Sequence, residues 1–463
     1  MELKNADEVR IATAALASGS GEALDRLVWS GVFGAEPVRA RARQAVLDQA
    51  RSSGLYPASI HGLYMARGRG ETPLDFTVPA INIRGLAYDT ARALFRARRA
   101  LDAGAVICEI ARSEISYTDQ RPAEYAFVLL GAALREGWKG PVFIQGDHFQ
   151  VNAKRYAADP EGEVRSVEDL TLEAIRAGFY NIDVDTSTLV DLSKHGHEAQ
   201  QQVNGERCAE LTAFIRAHEP RGVTVSVGGE IGEVGSQNST PEELHAFMKV
   251  YAAALNRLAP GAPGLSKISI QTGTSHGGVP LPDGTIARVK IDFDAIDKLS
   301  KLARQPYGMA GAVQHGASTL PAELFNRFPQ LGACEIHLAT EFQNMIFDSP
   351  QLPADLKQAI YAKLRETEAG DRKPSDSDEQ FYYKTRKKAL GGWKRELWGL
   401  PADVRRAMGA ALEEKFRFLL TQLHVGGTRA LAERYAPFVP DSFPSAGAPV
   451  RAGAAEDVSG LSD

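Results

Sequence analysis

The sequence of 463 residues is poor in cysteine and in long apolar runs. Its three cysteines, Cys108, Cys208 and Cys334, are odd in number and widely spaced. This pattern excludes a disulfide framework and a paired-cysteine metal site, and it favours buried thiols in a reducing compartment. No run approaches the roughly 18 apolar residues of a membrane span, and the charged N-terminus MELKNADEVRIATAAL is unlike a secretory signal. A soluble, cytoplasmic protein is therefore expected.

The chain also lacks a large excess of either positive or negative charge. The formal net charge of −5 arises from 53 Lys and Arg against 58 Asp and Glu, scattered along the chain. This leaves no basic face for nucleic acid and no polybasic patch for a membrane. A small polar molecule is the better candidate partner, and a hydrophobic content of 44% suffices for a large core.

From Phe76 onward, strand-like runs alternate with helical patterns. The runs are FTVPAIN, AVICEIA, PVFIQG, FYNIDVD, GVTVSVG, LSKISIQTG, MAGAVQHG and ACEIHLAT. Strands separated by helices indicate βαβ units and a parallel sheet, which is an α/β fold. Eight such units in one chain favour a closed (β/α)8 barrel, the TIM barrel, over an open sheet. No GxGxxG follows the first strand, which argues against a dinucleotide-binding fold.

The segments on either side of this barrel are predicted to be helical. Residues 1–70 carry apolar side chains at helical spacing and form an N-terminal helical extension. This extension makes dimer contacts or covers the barrel mouth, and the sequence leaves both alternatives open. The catalytic barrel is assigned to residues 71–345 and a helical C-terminal arm to residues 346–438. Residues 439–463, rich in Ser, Ala, Gly and Pro, are predicted to be disordered.

Side chains that suit a metal ion follow the apolar part of several predicted strands. PVFIQG leads into Asp147 and His148, and three later strands lead into Glu230, His276 and His315. Neutral imidazoles and a carboxylate are the ligand types that zinc and its neighbours prefer. Because barrel enzymes build their active sites at the carboxyl ends of their strands, these residues are expected to meet in one site.

The same stretches are similar to the motifs of a known family. VPAIN, QGDHF, EAIRAGFYNIDVDTS, VSVGGEIGEVG, TGTSHG and AVQHGASTLP resemble, in order and spacing, motifs of the class II, metal-dependent fructose-bisphosphate and tagatose-bisphosphate aldolases. The resemblance spans all eight units, from Val78 to about Phe342. QFYYKTRKKALGGW, further along, resembles the C-terminal arm of that family. The chain is identified as a divergent, long member of it.

The resemblance implies a metal-dependent reaction. The implied ligands of a Zn²⁺ ion, or of another divalent transition metal, are His148, Glu230, His276 and His315. A monovalent cation beside this ion is left open. Bound metal would stabilise the enediolate that remains when a carbon–carbon bond next to a ketone is broken.

Three further residues are implied to serve the chemistry. Asp147 would handle the proton of the substrate's C4 hydroxyl group as the acid and base of the reaction. Glu233 would transfer a proton at the enediolate carbon, with a solvated loop charge as the alternative. Asp185 would support a metal ligand, with a simple structural role as the alternative.

Substrate-binding residues are carried over from the same motifs. They are Asn82, Gly277, Gly316, Ser318, His337, Thr340 and Arg386. Some positions depart from the family pattern. Ala317 and Thr319 replace loop residues that would otherwise be glycines, and His337 and Ala339 replace an Asn and an Asp. A glutamate of the ExELG motif has become Gly228. The sequence therefore predicts at most one firmly held phosphate.

These features favour aldol chemistry and leave the substrate open. The first hypothesis is aldol cleavage or addition on a ketose or ketose phosphate. The second is C4 epimerisation of an unphosphorylated ketose or keto-uronate by cleavage and re-addition, and the third is a non-catalytic, sugar-binding barrel. Asp147 favours an enzyme, because a binding module needs no acid beside its metal. A homo-oligomer, either a dimer or a tetramer, is expected.

Overall fold

The computed structural model of the protein describes residues 2–232, 237–273, 281, 291–318, 320–444 and 460–461. Within these residues nine parallel strands form one sheet. They are β1 Leu55–Ala58, β2 Val78–Asn82, β3 Ile107–Ala111, β4 Gly140–Gln150, β5 Asn181–Asp185, β6 Ser226–Glu230, β7 Lys267–Ile270, β8 Ala312–Gln314 and β9 Glu335–Leu338. Strands β2 to β9 close into a barrel, since β9 pairs with β2 and β4 pairs with β5. The predicted (β/α)8 barrel is confirmed.

Helices surround this barrel and extend it at both ends. Those before the barrel are α1 Ala6–Ala17, α2 Gly21–Phe33, α3 Val38–Ser52 and α4 His61–Gly68. Those between barrel strands are α5 Ala87–Leu101, α6 Arg112–Tyr117, α7 Pro122–Arg135, α8 Ala153–Ala158, α9 Pro160–Arg176, α10 His197–His218, α11 Pro241–Leu258, α12 Phe293–Arg304 and α13 Arg327–Gln330. Those after it are α14 Thr340–Phe347, α15 Ala354–Thr367, α16 Asp378–Thr385, α17 Ala389–Gly392, α18 Lys394–Trp398, α19 Ala402–Gln422 and α20 Arg429–Tyr435.

The N-terminal extension contains a strand that the sequence analysis did not predict. Strand β1 pairs with the first half of β4, where Leu55 lies opposite Gly140. The side chain of Asn181, at the start of β5, accepts a hydrogen bond from the Ile60 backbone at 2.8 Å. Ser226, at the start of β6, donates its backbone N–H to Ser59. The segment from β1 to α4 therefore lies at the amino-terminal face of the barrel. Dimer contacts by the extension, or a cover over the barrel mouth, stay predictions.

One hydrophobic core runs through the extension, the barrel and the end of the arm. It includes Leu27 of α2, Leu130 of α7 and Phe416 of α19, all of them fully or almost fully buried. A smaller apolar cluster, around Phe347 and Phe381, holds the rest of the arm together. The division of the chain at residues 70, 345 and 438 stays a prediction. Most of the tail after residue 444 lies outside the described residues. No described helix is both long and apolar enough to cross a membrane.

Candidate active site

An irregularity in β4 places two neighbouring functional side chains on the same side of the strand. Successive residues of a regular strand point to opposite faces. Between Gly146 and Phe149, however, the register of β4 with β5 shifts by a bulge, and His148 has a left-handed φ of 37°. Bulges of this kind re-aim side chains, and such strain in a non-glycine residue is concentrated at functional sites. As a result both Asp147 and His148 reach the buried group of side chains inside the barrel.

His148 lies among residues from the ends of β5, β6 and β8. Its Nδ1–H donates to Asp185 Oδ2 at 3.0 Å and lies 3.4 Å from Glu230 Oε2. The centre of its ring is 4.4 Å from that of His315. A carboxylate that orients a histidine in this way is the usual companion of a metal-binding imidazole. The structure thus brings Asp185 to His148, as the sequence analysis expects.

Three of the four predicted metal ligands meet in one group. Donor atoms of His148, Glu230 and His315 all lie within 4.8 Å of one another, and all three residues are buried. Ligand atoms around one zinc ion at about 2.1 Å lie no more than about 4.2 Å apart, so small side-chain movements suffice to surround an ion. The donors, two imidazoles and a carboxylate, fit a divalent transition metal. His276 lies outside the described residues.

The ionisation of this group reflects its burial. Burial, with Asp185 close by, raises the pKa of Glu230 to about 7. Burial also opposes the charge on Asp185, but the hydrogen bond and charge of His148, together with hydrogen bonds from Ser187 and Gln150, outweigh burial and hold the pKa of Asp185 below its usual value. A cation between Glu230 and the imidazoles would offset the desolvation of these carboxylates, because buried negative charge requires a positive partner.

His337 occupies the centre of a second buried group, next to the first. Its Nδ1 lies 3.0 Å from Glu109 Oε2 and 3.1 Å from Asp147 Oδ1, and its Nε2 lies 2.7 Å from Glu335 Oε1. Both ring nitrogens thus face carboxylates, which only an imidazolium with two N–H donors can satisfy. Although burial opposes its charge, Glu109 and Asp147 raise the pKa of His337 well above its usual value.

The neighbouring imidazoles determine the ionisation of Asp147. Burial alone would raise the pKa of this carboxyl, but the imidazoles of His148 and His337 outweigh burial and hold the pKa of Asp147 well below its usual value. Glu109 behaves in the opposite way, since burial and the neighbouring Asp147 raise its pKa to about 8. Asp147 is therefore held in the ionised form, next to a protonated His337.

A buried lysine, Lys267, lies between two carboxylates next to His337, those of Asp183 and Glu335. The Nζ of Lys267 lies 2.8 Å from Asp183 Oδ1 and 2.5 Å from Glu335 Oε1, and it donates to Gln145 Oε1 at 2.8 Å. Although burial opposes ionisation, Lys267 lowers the pKa of Glu335 to about 2. Because the ammonium group already lies between Asp183 and Glu335, these carboxylates are poor candidates for a second metal site.

The structure explains one departure from the family pattern. Gly228 pairs with Lys267 across β6 and β7, and a Cβ atom built on this glycine would lie 2.3 Å from Asp183 Oδ1 and 2.9 Å from Lys267 Cε. The missing side chain thus makes room for the lysine and its partner. Tyr64, on α4, donates its hydroxyl group to Glu335 from the amino-terminal face. The N-terminal extension, through Tyr64, therefore contacts the same buried carboxylate, Glu335, that Lys267 neutralises.

Sequence reasoning missed the four charged residues, Lys267 included, of the buried ionic group around His337. Glu109, Asp183, Lys267 and Glu335 were counted only as parts of strand-like runs. A pattern that could have revealed them is a charged residue within an otherwise apolar strand, because such residues in a barrel sheet are almost never buried without a partner. Three acids and one lysine in four different strands predict a shared ionic group inside the barrel.

The remaining predicted residues differ in what surrounds them. Asn82 is buried at the end of β2, donates to Glu114 Oε2 at 2.6 Å and accepts from Arg84 Nε at 3.2 Å. Gly316 has a left-handed φ of 66°, which favours glycine. Ser318 is buried beside it and Thr340 is the first residue of α14. Glu233 and Gly277 lie outside the described residues.

Arg386 is held within the C-terminal arm. Its Nη1 donates to Asp348 Oδ1 at 2.7 Å and its Nη2 to Asn344 Oδ1 at 2.6 Å. Nη2 also donates to Asp348 Oδ2 at 2.9 Å, so Asp348 holds both terminal nitrogens in the bidentate geometry that a phosphate would otherwise use. The structure does not bring the guanidinium group of Arg386 to the metal-ligand group, and a role of this residue toward substrate stays a prediction.

Comparison with known proteins agrees with this geometry. A family model described as fructose-bisphosphate aldolase class-II matches residues 73–418. A probable tagatose 6 phosphate kinase from Sinorhizobium meliloti 1021 is 18% identical, with a TM-score of 0.54 over 80% of this chain and 96% of that chain. A fructuronate-tagaturonate epimerase, UxaE from Cohnella laeviribosi, is 12% identical, with a TM-score of 0.53 over 83% of this chain and 86% of that chain. These two likenesses show a shared fold alone. The family match covers the whole barrel and most of the arm, so the chain belongs to the class-II fructose-bisphosphate aldolase family.

Proposed function

We propose that the protein catalyses aldol cleavage or addition on a ketose or ketose phosphate with the help of a divalent metal ion. The observation that carries this proposal is the meeting of His148, Glu230 and His315 in one buried group. Asp147 Oδ1 lies 3.9 Å from His148 Nε2, beside that group. A metal site and an adjacent carboxylate are the two elements that this reaction requires.

Each catalytic task then belongs to a particular group. Asp147 accepts the proton of the C4 hydroxyl group as the carbon–carbon bond breaks, and it returns the proton in the reverse reaction. His337, held by Glu109, keeps Asp147 ionised and oriented. When bound, the cation supplies positive charge that offsets the negative charge left on the ketone side of the broken bond. Glu233 is the proposed acid for the second proton transfer.

Zinc is the ion that we propose for this site, with His276 as a further ligand. Replacing His315 with alanine is expected to lower bound zinc or cobalt to well below the stoichiometric amount, because the ion loses one of its few donors. Metal content of the purified variant is the measurement. His195→Ala, at an exposed histidine after β5, is the matched control and should keep its metal. Full metal content in His315→Ala would contradict the assignment.

The substrate is expected to have at most one firmly bound phosphate, and a non-phosphorylated ketose is nearly as good a candidate. The contacts of Arg386 support this view, since its guanidinium group is already bound by Asp348 and Asn344. The loop after β8 has an alanine, Ala317, in place of a glycine, and its methyl group restricts how closely an anion can approach the backbone donors of the loop. These observations also favour the second candidate function, C4 epimerisation of a ketose or keto-uronate, in which the fragments recombine without release.

Specificity measurements test this expectation. We expect kcat/KM for fructose or tagatose 1,6-bisphosphate to be no higher than that for the best monophosphate, free ketohexose or keto-uronate. Both aldehyde release and inversion at C4 should be followed, since only the second detects an epimerase. A bisphosphate preferred far above every other substrate would show that this interpretation of the loops is wrong. Turnover of none of these substrates by metal-loaded protein would favour the non-catalytic, sugar-binding alternative.

A further inference from the structure

A cavity of about 450 Å³ lies outside the barrel, between the N-terminal extension and the C-terminal arm. Its walls come from α2, the first half of α5, the end of α7, the end of α18 and the start of α19. This volume falls within the usual range of small-molecule sites. The active-site residues described above do not line it. It is therefore a separate place where a metabolite could bind.

The side chains around this cavity carry an excess of positive charge. The arginines are Arg26, Arg92, Arg135, Arg405 and Arg406, and the acids are Glu22, Asp25 and Asp89. Five positive charges against three negative ones favour an anionic ligand. The cavity is thus suited to an anionic molecule such as a phosphomonoester.

Most of these charges are already paired, and the pairing leaves two arginines and the exposed Glu22 over. Asp25 accepts from Arg135 Nε at 3.1 Å, and Asp89 accepts from Arg405 Nη1 at 3.0 Å. Arg92 is bound instead to Glu136, at 2.6 Å.

Arg26 and Arg406 differ from the paired arginines. Throughout the part of the chain that the structure describes, neither has a hydrogen bond or an ion pair. Their guanidinium groups are consequently available to a ligand.

An aromatic wall adjoins these arginines. Trp29, Tyr88 and Trp398 line the cavity, and the rings of Tyr88 and Trp398 stack with centroids 6.1 Å apart. The indole Nε1–H of Trp29, a residue only 9% exposed, has no hydrogen-bond partner among the described residues. Since this nitrogen is closed to solvent, Trp29 offers the cavity the surface of its ring and not its N–H group.

We infer that this cavity binds a small phosphomonoester, with Arg26 and Arg406 as donors to the phosphate and Trp29 beside the rest of the molecule. Guanidinium groups are the donors that best match phosphate oxygens. Two sources share this chemistry, a sugar phosphate and a nucleoside monophosphate. The inference does not depend on the proposed function of the barrel.

Titration calorimetry of the full-length, metal-loaded protein tests the inference. The probes are inorganic phosphate, fructose 6-phosphate and AMP, each up to millimolar concentration. We expect saturable binding of at least one probe and a Kd that is roughly tenfold or more higher in Arg26→Ala/Arg406→Ala, because charge-assisted hydrogen bonds to phosphate are lost. The single variant Arg406→Ala alters an exposed side chain and is expected to fold normally while binding more weakly. A tighter Kd for AMP than for fructose 6-phosphate would identify the aromatic wall as a base platform, and the reverse order would identify a sugar site.

Two controls separate this cavity from other anion sites. Arg41→Ala removes an exposed arginine of α3 that does not line the cavity, and it should leave the Kd unchanged. His148→Ala alters the candidate active site, where fructose 6-phosphate is itself a possible substrate, so this control is read with AMP, whose Kd should stay unchanged. The inference is overturned if no probe binds, if the double arginine variant binds as tightly as the unmodified protein, or if His148→Ala abolishes binding of AMP.

Discussion

Replacing Asp147 with asparagine is expected to lower kcat by about 100- to 10,000-fold, the usual contribution of a general acid or base, while metal content stays unchanged. The substitution preserves the shape of the side chain and a polar contact to His337, which lies 3.1 Å away. An amide oxygen, however, cannot take the proton of a hydroxyl group at neutral pH. The loss should therefore appear in turnover of the substrate and not in occupancy of the metal site.

Two comparisons make this result informative. Asp294→Asn, at an exposed position in α12, is the matched control and should retain full activity. Metal analysis of Asp147→Asn must show the same content as the unmodified protein, since a loss of the ion would explain inactivity without any role in proton transfer. A near-native kcat with intact metal would remove Asp147 from the mechanism.

The barrel was predictable because each strand has its own local pattern. The eight apolar runs, each followed by a helix, specify parallel strands independently of what the rest of the chain does. Strand β1 was not predictable in this way. LYPA, at Leu55–Ala58, is short and contains a proline, and it becomes a strand only because the first half of β4 offers an unpaired edge beside it. That edge exists only in the assembled barrel.

The site was predictable in its residues but not in its geometry. The positions of His148, Glu230 and His315 after three strands were enough to expect that they meet, and they do. Which way two consecutive residues point depends instead on the bulge at Asp147 and His148, a feature of pairing between strands. Sequence spacing alone would have placed these two side chains on opposite faces.

The contacts of His337 could not be inferred from local sequence either. A histidine at the end of β9 suggests a substrate contact, and that remains a prediction. In the folded chain its ring lies between Glu335, two residues earlier on the same strand, and two carboxyl groups from other strands, Glu109 of β3 and Asp147 of β4. Whether a histidine is neutral or charged depends on such neighbours, so its role becomes visible only when the strands are brought together.

Replacing Lys267 with methionine is expected to destabilise the protein by about 3–5 kcal/mol, the usual cost of removing one partner from a buried ion pair. Methionine fills similar space, but Asp183 and Glu335 then lose the ammonium group that lies 2.8 Å and 2.5 Å from them. Both carboxylates are buried. The free energy of unfolding in urea measures the effect, and Lys301→Met, at an exposed lysine of α12, is the matched control with an expected change of at most about 0.5 kcal/mol.

The pH dependence of this loss distinguishes unpaired charge from poor packing. Without Lys267, the folded-state pKa values of Asp183 and Glu335 should lie above those of the unfolded chain, which are near 4. The unfolded state then binds fewer protons than the folded state at higher pH, so the stability of the variant falls as pH rises past about 4. The destabilisation relative to the unmodified protein should therefore be smaller at pH 5 than at pH 8. An equal loss at both values would show that lost packing, and not the two buried carboxylates, accounts for the effect of the substitution.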